Sequence, residues 1–231
     1  MDIIVASGNP GKRREFEEIF ALYGAGAGAG VRGIRLVSPS ERGDIAVDET
    51  GRTYLANARL KARAYASQYN TPALGDDSGL AVDALDGAPG LYTARFGGPG
   101  LSARERMSLL LEKLAGVPEG RRGAHFECAL YLAYPDGADG ADGADGASIA
   151  AHGRVFGRIA ERPSGDEGFG YDPIFLLPRL GLTMAELPPD EKHRLSHRGR
   201  AVRHLLGRLL SGYRAIGLSE ERSRTRRNMV H

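Results

Sequence analysis

The feature that most constrains this chain is a pair of adjacent carboxylates, Asp76 and Asp77, within the sequence Gly-Asp-Asp-Ser-Gly-Leu. Like charges repel, so a fold keeps such a pair together only where the pairing has a use. Asp, Ser and Gly are turn-forming residues, which makes a solvent-exposed turn one interpretation. The other is a metal-binding carboxylate site at a strand end, facing a phosphate group. The pair alone does not decide between them.

The composition is typical of a soluble globular protein: 231 residues, of which 42% are hydrophobic and 26% charged. A net charge of +2 gives no case for a dedicated nucleic-acid binder. No apolar run approaches the roughly 20 residues that span a bilayer, and the N-terminus lacks a signal-peptide pattern. A single cysteine, Cys128, suits a reducing compartment. We therefore expect a cytoplasmic protein without membrane contact.

The N-terminus predicts a strand, a glycine-containing loop and a helix. Ile3–Ala6 is apolar and β-branched, Ser7–Lys12 forms the loop, and Phe16, Ile19 and Phe20 follow at helical spacing. Such a loop directs backbone N–H groups and a helix N-terminus at its ligand, which favours anions. Its glycines are three residues apart, so it is not a Walker A loop. A phosphate cradle and a plain connection both remain open.

A second helix is predicted after Thr53, a suitable N-cap. Glu49 lies just ahead of it, where a carboxylate either complements the helix dipole or serves as a ligand. Lys61 lies off the apolar face of this helix, so its default interpretation is a solvated surface lysine. Beyond the carboxylate pair, Leu80–Leu85 is predicted to be a strand.

Strict alternation from Phe126 to Tyr134 predicts a strand with Cys128 on its apolar face, and residues 147–155 supply its partner strand. Between them, Asp-Gly-Ala repeats at 136–147 predict a mobile hairpin loop rather than a calcium site, whose spacing differs. Glycine and alanine at 24–30 predict a second flexible loop. The basic tail at 219–231 lacks apolar periodicity and predicts disorder.

Two C-terminal motifs suggest ligand binding. Phe169 lies between glycines, which let a backbone approach a ligand closely, and its ring can stack a base or simply anchor a loop. Ser196 is the predicted N-cap of the last helix, which places His197 and Arg198 at its first positions. Cations there oppose the helix dipole, so local stability does not explain them. An anionic or oxo-bearing ligand does.

These motifs, in this order, resemble the inosine triphosphate pyrophosphatase family, the noncanonical purine nucleoside triphosphatases. The resemblance runs from Ile3 to about Leu210 and rests chiefly on Ser-Gly-Asn-Pro-Gly-Lys, Asp-Asp-Ser-Gly-Leu, Gly-Phe-Gly-Tyr-Asp-Pro-Ile-Phe and Ser-His-Arg. It implies an α/β fold with a long twisted mixed β-sheet flanked by helices and two lobes around a central cleft. Residues 1–218 would form this single domain, usually as a homodimer. The implied activity is hydrolysis of ITP, dITP and XTP to the monophosphate plus pyrophosphate, with Mg²⁺.

The resemblance also implies roles for individual residues. Asp77 would be the general base and a Mg²⁺ ligand, Glu49 the second ligand, and Ser78 a substrate contact. Neighbouring side chains of an extended segment face opposite ways, so Asp76 and Asp77 should not both line the cleft. The residues expected to bind the triphosphate are Ser7, Gly8, Asn9, Pro10, Gly11, Lys12, Lys61 and Lys192. Those expected to hold and read the purine are Phe169, Gly170, Tyr171, Asp172, His197 and Arg198.

Two other functions compete with this interpretation. One is a Maf-type nucleotide pyrophosphatase of different base preference, against which the loop at Ser7–Lys12 argues. The other is a nucleotide- or RNA-binding module without catalysis, which would use the basic tail. Donors that read a 6-oxo group explain the rejection of ATP. They do not explain the rejection of GTP.

Overall fold

A mixed β-sheet forms the centre of the computed structural model, which describes residues 1–24, 33–39, 43–135 and 148–211. In these residues the sheet has seven strands in the order β2-β1-β3-β4-β5-β6-β7. They are Asp2–Ala6 (β1), Arg35–Val37 (β2), Ala73–Val82 (β3), Gly123–Ala133 (β4), Ile149–Ile159 (β5), Phe175–Leu177 (β6) and Leu182–Thr183 (β7). β1 pairs in parallel with β2 and β3, and the other neighbours are antiparallel. The predicted mixed α/β sheet is confirmed.

Helices cover both faces of this sheet. They are Pro10–Gly24 (α1), Tyr54–Tyr69 (α2), Ala103–Lys113 (α3), Pro189–Leu195 (α4) and residues 197–211 (α5). Successive side chains of β1 face opposite sides of the sheet: Ile3 packs in one core cluster with residues of α1 and α5, and Ile4 in another with residues of α2. A third cluster joins α3 to β3, β4 and β5. Both faces are therefore buried, as expected where parallel strands contribute.

Asp76 and Asp77 lie in the middle of β3. This strand pairs with β1 along Ala73–Gly75 and with β4 along its full length. The interpretation of the pair as an exposed turn is therefore wrong, and so is its placement at a strand end. The strand expected at Leu80–Leu85 ends at Val82, where a short 3-10 helix begins. The ladder with β4, which continues through Asp76, Asp77, Ser78 and Gly79, outweighs the local turn preference of Asp, Ser and Gly.

Most predicted helix starts are confirmed. Thr53 caps α2, and Ser102 forms a capping box with Glu105 at α3. The Ser196 hydroxyl accepts the Gly199 N–H at 3.1 Å at the start of α5. One helix was missed: Pro189 begins α4, because proline is well suited to the first turn, where no N–H partner is needed.

The antiparallel pairing of β4 with β5 confirms the predicted hairpin partners. Residues 25–30 of the first low-complexity segment, the loop at 136–147 and the tail at 219–231 lie outside the described residues. Among the residues that are described, no helix is long and apolar enough to cross a membrane.

Candidate active site

A cavity of about 470 Å³ gathers residues from the loop after β1, from α2 and β3, and from the start of α5. This volume lies within the range of small-molecule sites. The predicted site residues in its lining are Ser7, Gly8, Asn9, Lys12, Glu49, Lys61, Asp77, Ser78, Phe169, Gly170, Tyr171, Asp172, His197 and Arg198. Pro10, Gly11 and Lys192 are not in the lining.

The loop between β1 and α1 forms one wall of the cavity. Asn9 caps α1, since its side-chain oxygen accepts the Lys12 N–H at 3.1 Å. The positive end of the helix dipole therefore lies at this wall, which favours an anion. Pro10 and Gly11 form the first turn of α1 instead of facing the cavity. A Cβ atom at Gly11 would approach the Phe169 ring to 3.1 Å, so glycine permits the close packing of this loop against the ring.

The two adjacent carboxylates diverge as expected for a strand. Asp77 faces the cavity, whereas Asp76 is only 1% exposed, beneath it. Asp76 accepts a hydrogen bond from Lys12 Nζ at 2.7 Å. Asp77 accepts one from Asn57 Nδ2 at 2.9 Å, and the Asn57 oxygen in turn accepts the Gly51 N–H at 2.7 Å. Asn57 was not among the predicted site residues.

The surroundings shift the pKa values of the two carboxyl groups in opposite directions. Burial raises the pKa of Asp77, and the hydrogen bond from Asn57 and the Lys61 ammonium only partly oppose it. Burial acts on the pKa of Asp76 in the same sense, but Lys12, Lys61 and other cations outweigh it and lower that pKa. Asp76 is thus a fixed anion, and Asp77 is the more basic carboxylate of the pair.

The expected Mg²⁺ ligands, Glu49 and Asp77, line the same cavity. Glu49 is close enough to contribute to the raised pKa of Asp77, a repulsion that a cation would relieve. Within the described ranges no group of three or more His, Cys, Asp or Glu side chains is arranged so that it could hold a metal ion. Mg²⁺ is commonly held by one or two carboxylates together with waters and substrate phosphates. Two carboxylates beside a helix N-terminus that favours an anion fit this pattern.

Lys61 is buried and not solvated, contrary to its default interpretation. Its ammonium lies 3.3 Å from the Glu49 carboxylate. Burial favours the neutral amine, but Asp76, Glu49 and Asp77 outweigh burial and raise the pKa of Lys61. The cavity therefore contains a permanent cation beside the two carboxylates.

The other part of the cavity carries rings and donors suited to a base. The Arg198 guanidinium lies 5.0 Å from the Phe169 ring centroid, and Arg198 also donates to the Ser78 hydroxyl at 3.0 Å. His197 stacks on Phe126 with ring centroids 4.8 Å apart. Burial, with Arg198, Lys192 and Lys12 nearby, places the pKa of His197 well below its usual range. The imidazole is therefore neutral at pH 7.

Lys192 lies beneath the cavity in a buried ion cluster, where it contacts Glu15 at 2.5 Å and Asp172 at 2.8 Å. Glu15 also accepts from Arg198 at 2.7 Å. Lys192 was predicted to bind the triphosphate, but in the structure it pairs with these two carboxylates. Glu15 itself was missed, and its signal was its position four residues before Ile19, on the apolar face of α1.

The ion cluster has consequences for protonation. Burial alone would raise the pKa of Glu15, but Arg198 and Lys192 outweigh it and lower that pKa. Burial raises the pKa of Asp172. The Lys192 ammonium opposes this rise, and the negative charge of Glu15 adds to it. Asp172 Oδ2 also accepts the Phe169 N–H at 2.9 Å. The cluster thereby fixes the backbone that carries the Phe169 ring.

A further wall of the cavity comes from residues that were not predicted to bind anything. It includes Thr93 and Arg95 from the 3-10 helix Gly90–Arg95, and Arg106 from α3. No sequence signal separated Thr93 and Arg106 from ordinary turn or surface positions.

Comparisons with known proteins agree with the predicted resemblance. A model of the Ham1 family matches residues 3–208. A dITP/XTP pyrophosphatase of Yersinia pseudotuberculosis is 45% identical over 208 residues, which are 90% of this chain and 97% of that protein. One from Listeria monocytogenes is 43% identical, over 88% of this chain and 92% of its own. The solved structure of a HAM1 protein from Coxiella burnetii has a TM-score of 0.75 and 36% identity, and the match covers 91% of this chain and 99% of the Coxiella chain.

Proposed function

The chain belongs to the Ham1 family, and from this we propose that it hydrolyses noncanonical purine nucleoside triphosphates. The substrates are dITP, XTP and ITP, and the products are the nucleoside monophosphate and pyrophosphate. The named activity of its relatives, dITP/XTP pyrophosphatase, supports this proposal. The reaction removes such nucleotides from the pool that polymerases use.

One observation carries the proposal: a single cavity joins two kinds of surface that a purine triphosphate needs. One part has carboxylates, lysines and a helix N-terminus, and the other has the Phe169 ring with neutral His197 and cationic Arg198. The first suits phosphates with a divalent cation, and the second suits a flat base with oxo groups.

Asp77 is the proposed general base. Its raised pKa makes it a better proton acceptor than an ordinary aspartate, and Asn57 fixes its orientation through the hydrogen bond at 2.9 Å. We propose that Asp77 takes the proton of a water that attacks the α-phosphorus. The bond from the α-phosphorus to the bridging oxygen breaks, and the electron pair leaves with pyrophosphate.

The departing pyrophosphate needs positive charge around it. Lys12 and Lys61 supply this charge, and the N–H groups at the start of α1 add donors. Glu49 and Asp77 would hold Mg²⁺, which when bound neutralises negative charge on the triphosphate. Asp76 anchors Lys12, so this lysine is positioned before the substrate arrives.

Discrimination against ATP follows from the donors at the base end. Arg198 is a permanent donor, and neutral His197 can donate from one ring nitrogen. A 6-oxo group accepts from such donors, whereas the 6-amino group of adenine leaves a buried donor unpaired. The loss is about 1–3 kcal/mol for each buried hydrogen bond that is not made.

We also propose that Mg²⁺ is the cofactor, that the assembly is a homodimer and that the enzyme acts in the cytoplasm, as the family resemblance implies. Chelation with EDTA should abolish hydrolysis, and added Mg²⁺ should restore it. Light scattering on the purified chain measures the dimer independently of activity.

The test is a substrate panel of ITP, XTP, dITP, ATP, GTP and dTTP with Mg²⁺, with the products identified by chromatography. The proposal predicts IMP and pyrophosphate from ITP, with slower turnover of ATP, GTP and dTTP. Formation of IDP and orthophosphate from ITP would contradict it, because attack would then occur at the γ-phosphorus. A preference for dTTP would favour a Maf-type pyrophosphatase instead.

A further inference from the structure

Arg106 differs from Lys12, Lys61 and Arg198, three other cations that line the cavity. Lys12, Lys61 and Arg198 each face a carboxylate: Asp76, Glu49 and Glu15 respectively. Arg106 takes part in none of these pairs. Its Nε is buried, and among the residues that the structure describes it has no hydrogen-bond partner. A buried donor without a partner costs free energy. Arg106 also lines the cavity, so its side chain can contact a ligand held there.

The helix α3, which carries Arg106, packs against residues at the base end of the cavity. The next residue, Met107, packs in the core cluster that contains Phe126 and Tyr171. Phe126 stacks on His197, and Tyr171 directly precedes Asp172. By contrast, α2, which carries Lys61, packs in a separate cluster on the phosphate side.

Electrostatic contact agrees with this placement. Burial raises the pKa of Tyr171 to about 12, and the charge of Arg106 is the effect that opposes the rise. The Tyr171 O–H donates a hydrogen bond to the Thr93 carbonyl at 3.3 Å. All three side chains line the same cavity.

The 6-oxo group is common to hypoxanthine, xanthine and guanine, so reading it cannot separate these bases. They differ at the 2-position, where hypoxanthine has hydrogen, xanthine an oxo group and guanine an amino group. An oxo group accepts from a guanidinium, whereas an amino group opposes one donor with another. A cation also favours xanthine because the second oxo group makes its ring more acidic than hypoxanthine.

We propose that Arg106 is a specificity-determining residue that donates a hydrogen bond to the 2-oxo group of xanthine and so separates XTP from GTP. The role of Arg106 rests on the proposed function, because it requires a purine that lies between Phe169 and Arg106. It assigns a role to a cavity residue outside the predicted binding set.

The test compares the wild type with Arg106→Met, Arg106→Lys and the control Arg104→Met, which removes an exposed cation from the same helix. In Arg106→Met, kcat/KM for XTP should fall about tenfold to a hundredfold, the value of one charge-assisted hydrogen bond. The value for ITP should stay within about twofold, since ITP offers no 2-oxo group. Arg106→Lys should retain part of the XTP rate, and Arg104→Met should match the wild type.

Calorimetric binding of XMP and IMP provides a second readout that needs no turnover. The wild type should bind XMP more tightly than IMP, and Arg106→Met should lose this preference. An equal loss for XTP and ITP would overturn the proposal, because Arg106 would then contact the ribose or the phosphates. Unchanged XTP turnover and XMP binding would also overturn it. If the wild type hydrolysed no purine triphosphate but Arg106→Met lost an XMP preference, only the proposed function would fail.

Discussion

At the scale of single residues, Asp76 and Asp77 are adjacent in one strand but have different surroundings, because neighbouring side chains of a strand face opposite sides. Asp77 faces the cavity with a pKa above the usual value, and Asp76 faces the interior with a pKa below it. Environment alone distinguishes Asp77, the proposed proton acceptor, from Asp76, the anchor of Lys12. The opposite orientations of the two side chains followed from sequence, because they depend only on strand geometry. The charged partners of the two carboxylates could not be predicted in the same way, because they come from elements distant in sequence.

Asp77→Asn should lower kcat for ITP by about a hundredfold or more, since general-base catalysis is lost while the shape is kept. Asn57 can still bond to the new side chain, so the unfolding temperature should stay close to that of the wild type. Initial rates and thermal unfolding measure the two effects. Asp83→Asn, which changes an exposed carboxylate just after the same strand, is the matched control. An undiminished rate in Asp77→Asn would remove this residue from the catalytic role.

His197 predicts a pH dependence of stability. Its pKa lies well below the ordinary histidine value of 6.5 because burial and nearby cations disfavour the charged ring. The unfolded chain therefore binds more protons than the folded one near the ordinary histidine pKa. The free energy of unfolding should decrease as the pH drops below about 6.5 and increase as the pH returns to that value. The slope reaches at most about 1.4 kcal/mol per pH unit for one group.

Urea unfolding at several pH values around the ordinary histidine pKa measures this effect. His197→Gln should flatten the fall in stability toward acid. His204→Gln, which changes an exposed histidine of α5, should leave the profile unchanged. Parallel profiles for the wild type and His197→Gln would contradict the assignment.

At the scale of elements, one buried ion cluster ties three helices together beneath the site. Glu15 of α1 contacts Lys192 of α4 and Arg198 of α5, and Lys192 reaches Asp172 in the loop that bears Phe169. Helix caps were predictable because they depend on residues a few positions apart. The ion cluster was not, because Glu15 is 177 residues from Lys192 and 183 residues from Arg198 along the chain.

Glu15→Gln should destabilise the protein by about 3–5 kcal/mol, because it leaves Lys192 and Arg198 buried with too little negative charge. KM for ITP should rise as well, since Arg198 loses the partner that holds it. Glu17→Gln, an exposed position on the same helix, should change neither quantity. Denaturant unfolding and steady-state kinetics give both measurements. If Glu15→Gln were as stable as the wild type, the cluster would have no structural importance.

The contact between α2 and β3 predicts an effect of volume at Gly75. A Cβ atom there would collide with the Ala58 carbonyl oxygen, so α2 would have to move away from the strand. Gly75→Ala should cost about 1–3 kcal/mol of stability. It should also reduce turnover, because α2 carries Lys61.

Gly207→Ala is the matched control, because no atom lies within 4 Å of a Cβ built there. An alanine in this helix should stabilise the protein by about 0.5–1 kcal/mol. Denaturant midpoints compare the two variants. A Gly75→Ala protein as stable and active as the wild type would show that the helix accommodates the methyl group without displacement.

At the scale of the whole molecule, the sheet brings together motifs spread from Ser7 to Arg198. Family resemblance predicted which motifs meet, and the structure places most of them in one cavity. Sequence reasoning could not say which side chains reach the cavity and which lie beneath it. Lys192 is the clearest case, because its ion pairs with Glu15 and Asp172 hold its side chain beneath the cavity. The position of Arg106 in the cavity lining was not predicted either, because no local sequence pattern marks this residue.

The most direct test of the central claim is hydrolysis of ITP in water enriched in oxygen-18, with the label located by mass spectrometry. Attack on the α-phosphorus by a water that Asp77 deprotonates predicts one heavy oxygen in IMP and none in pyrophosphate. Label in pyrophosphate and none in IMP would mean attack at the β-phosphorus. That result would contradict the assignment of Asp77 and the loop after β1 to the α- and departing phosphates.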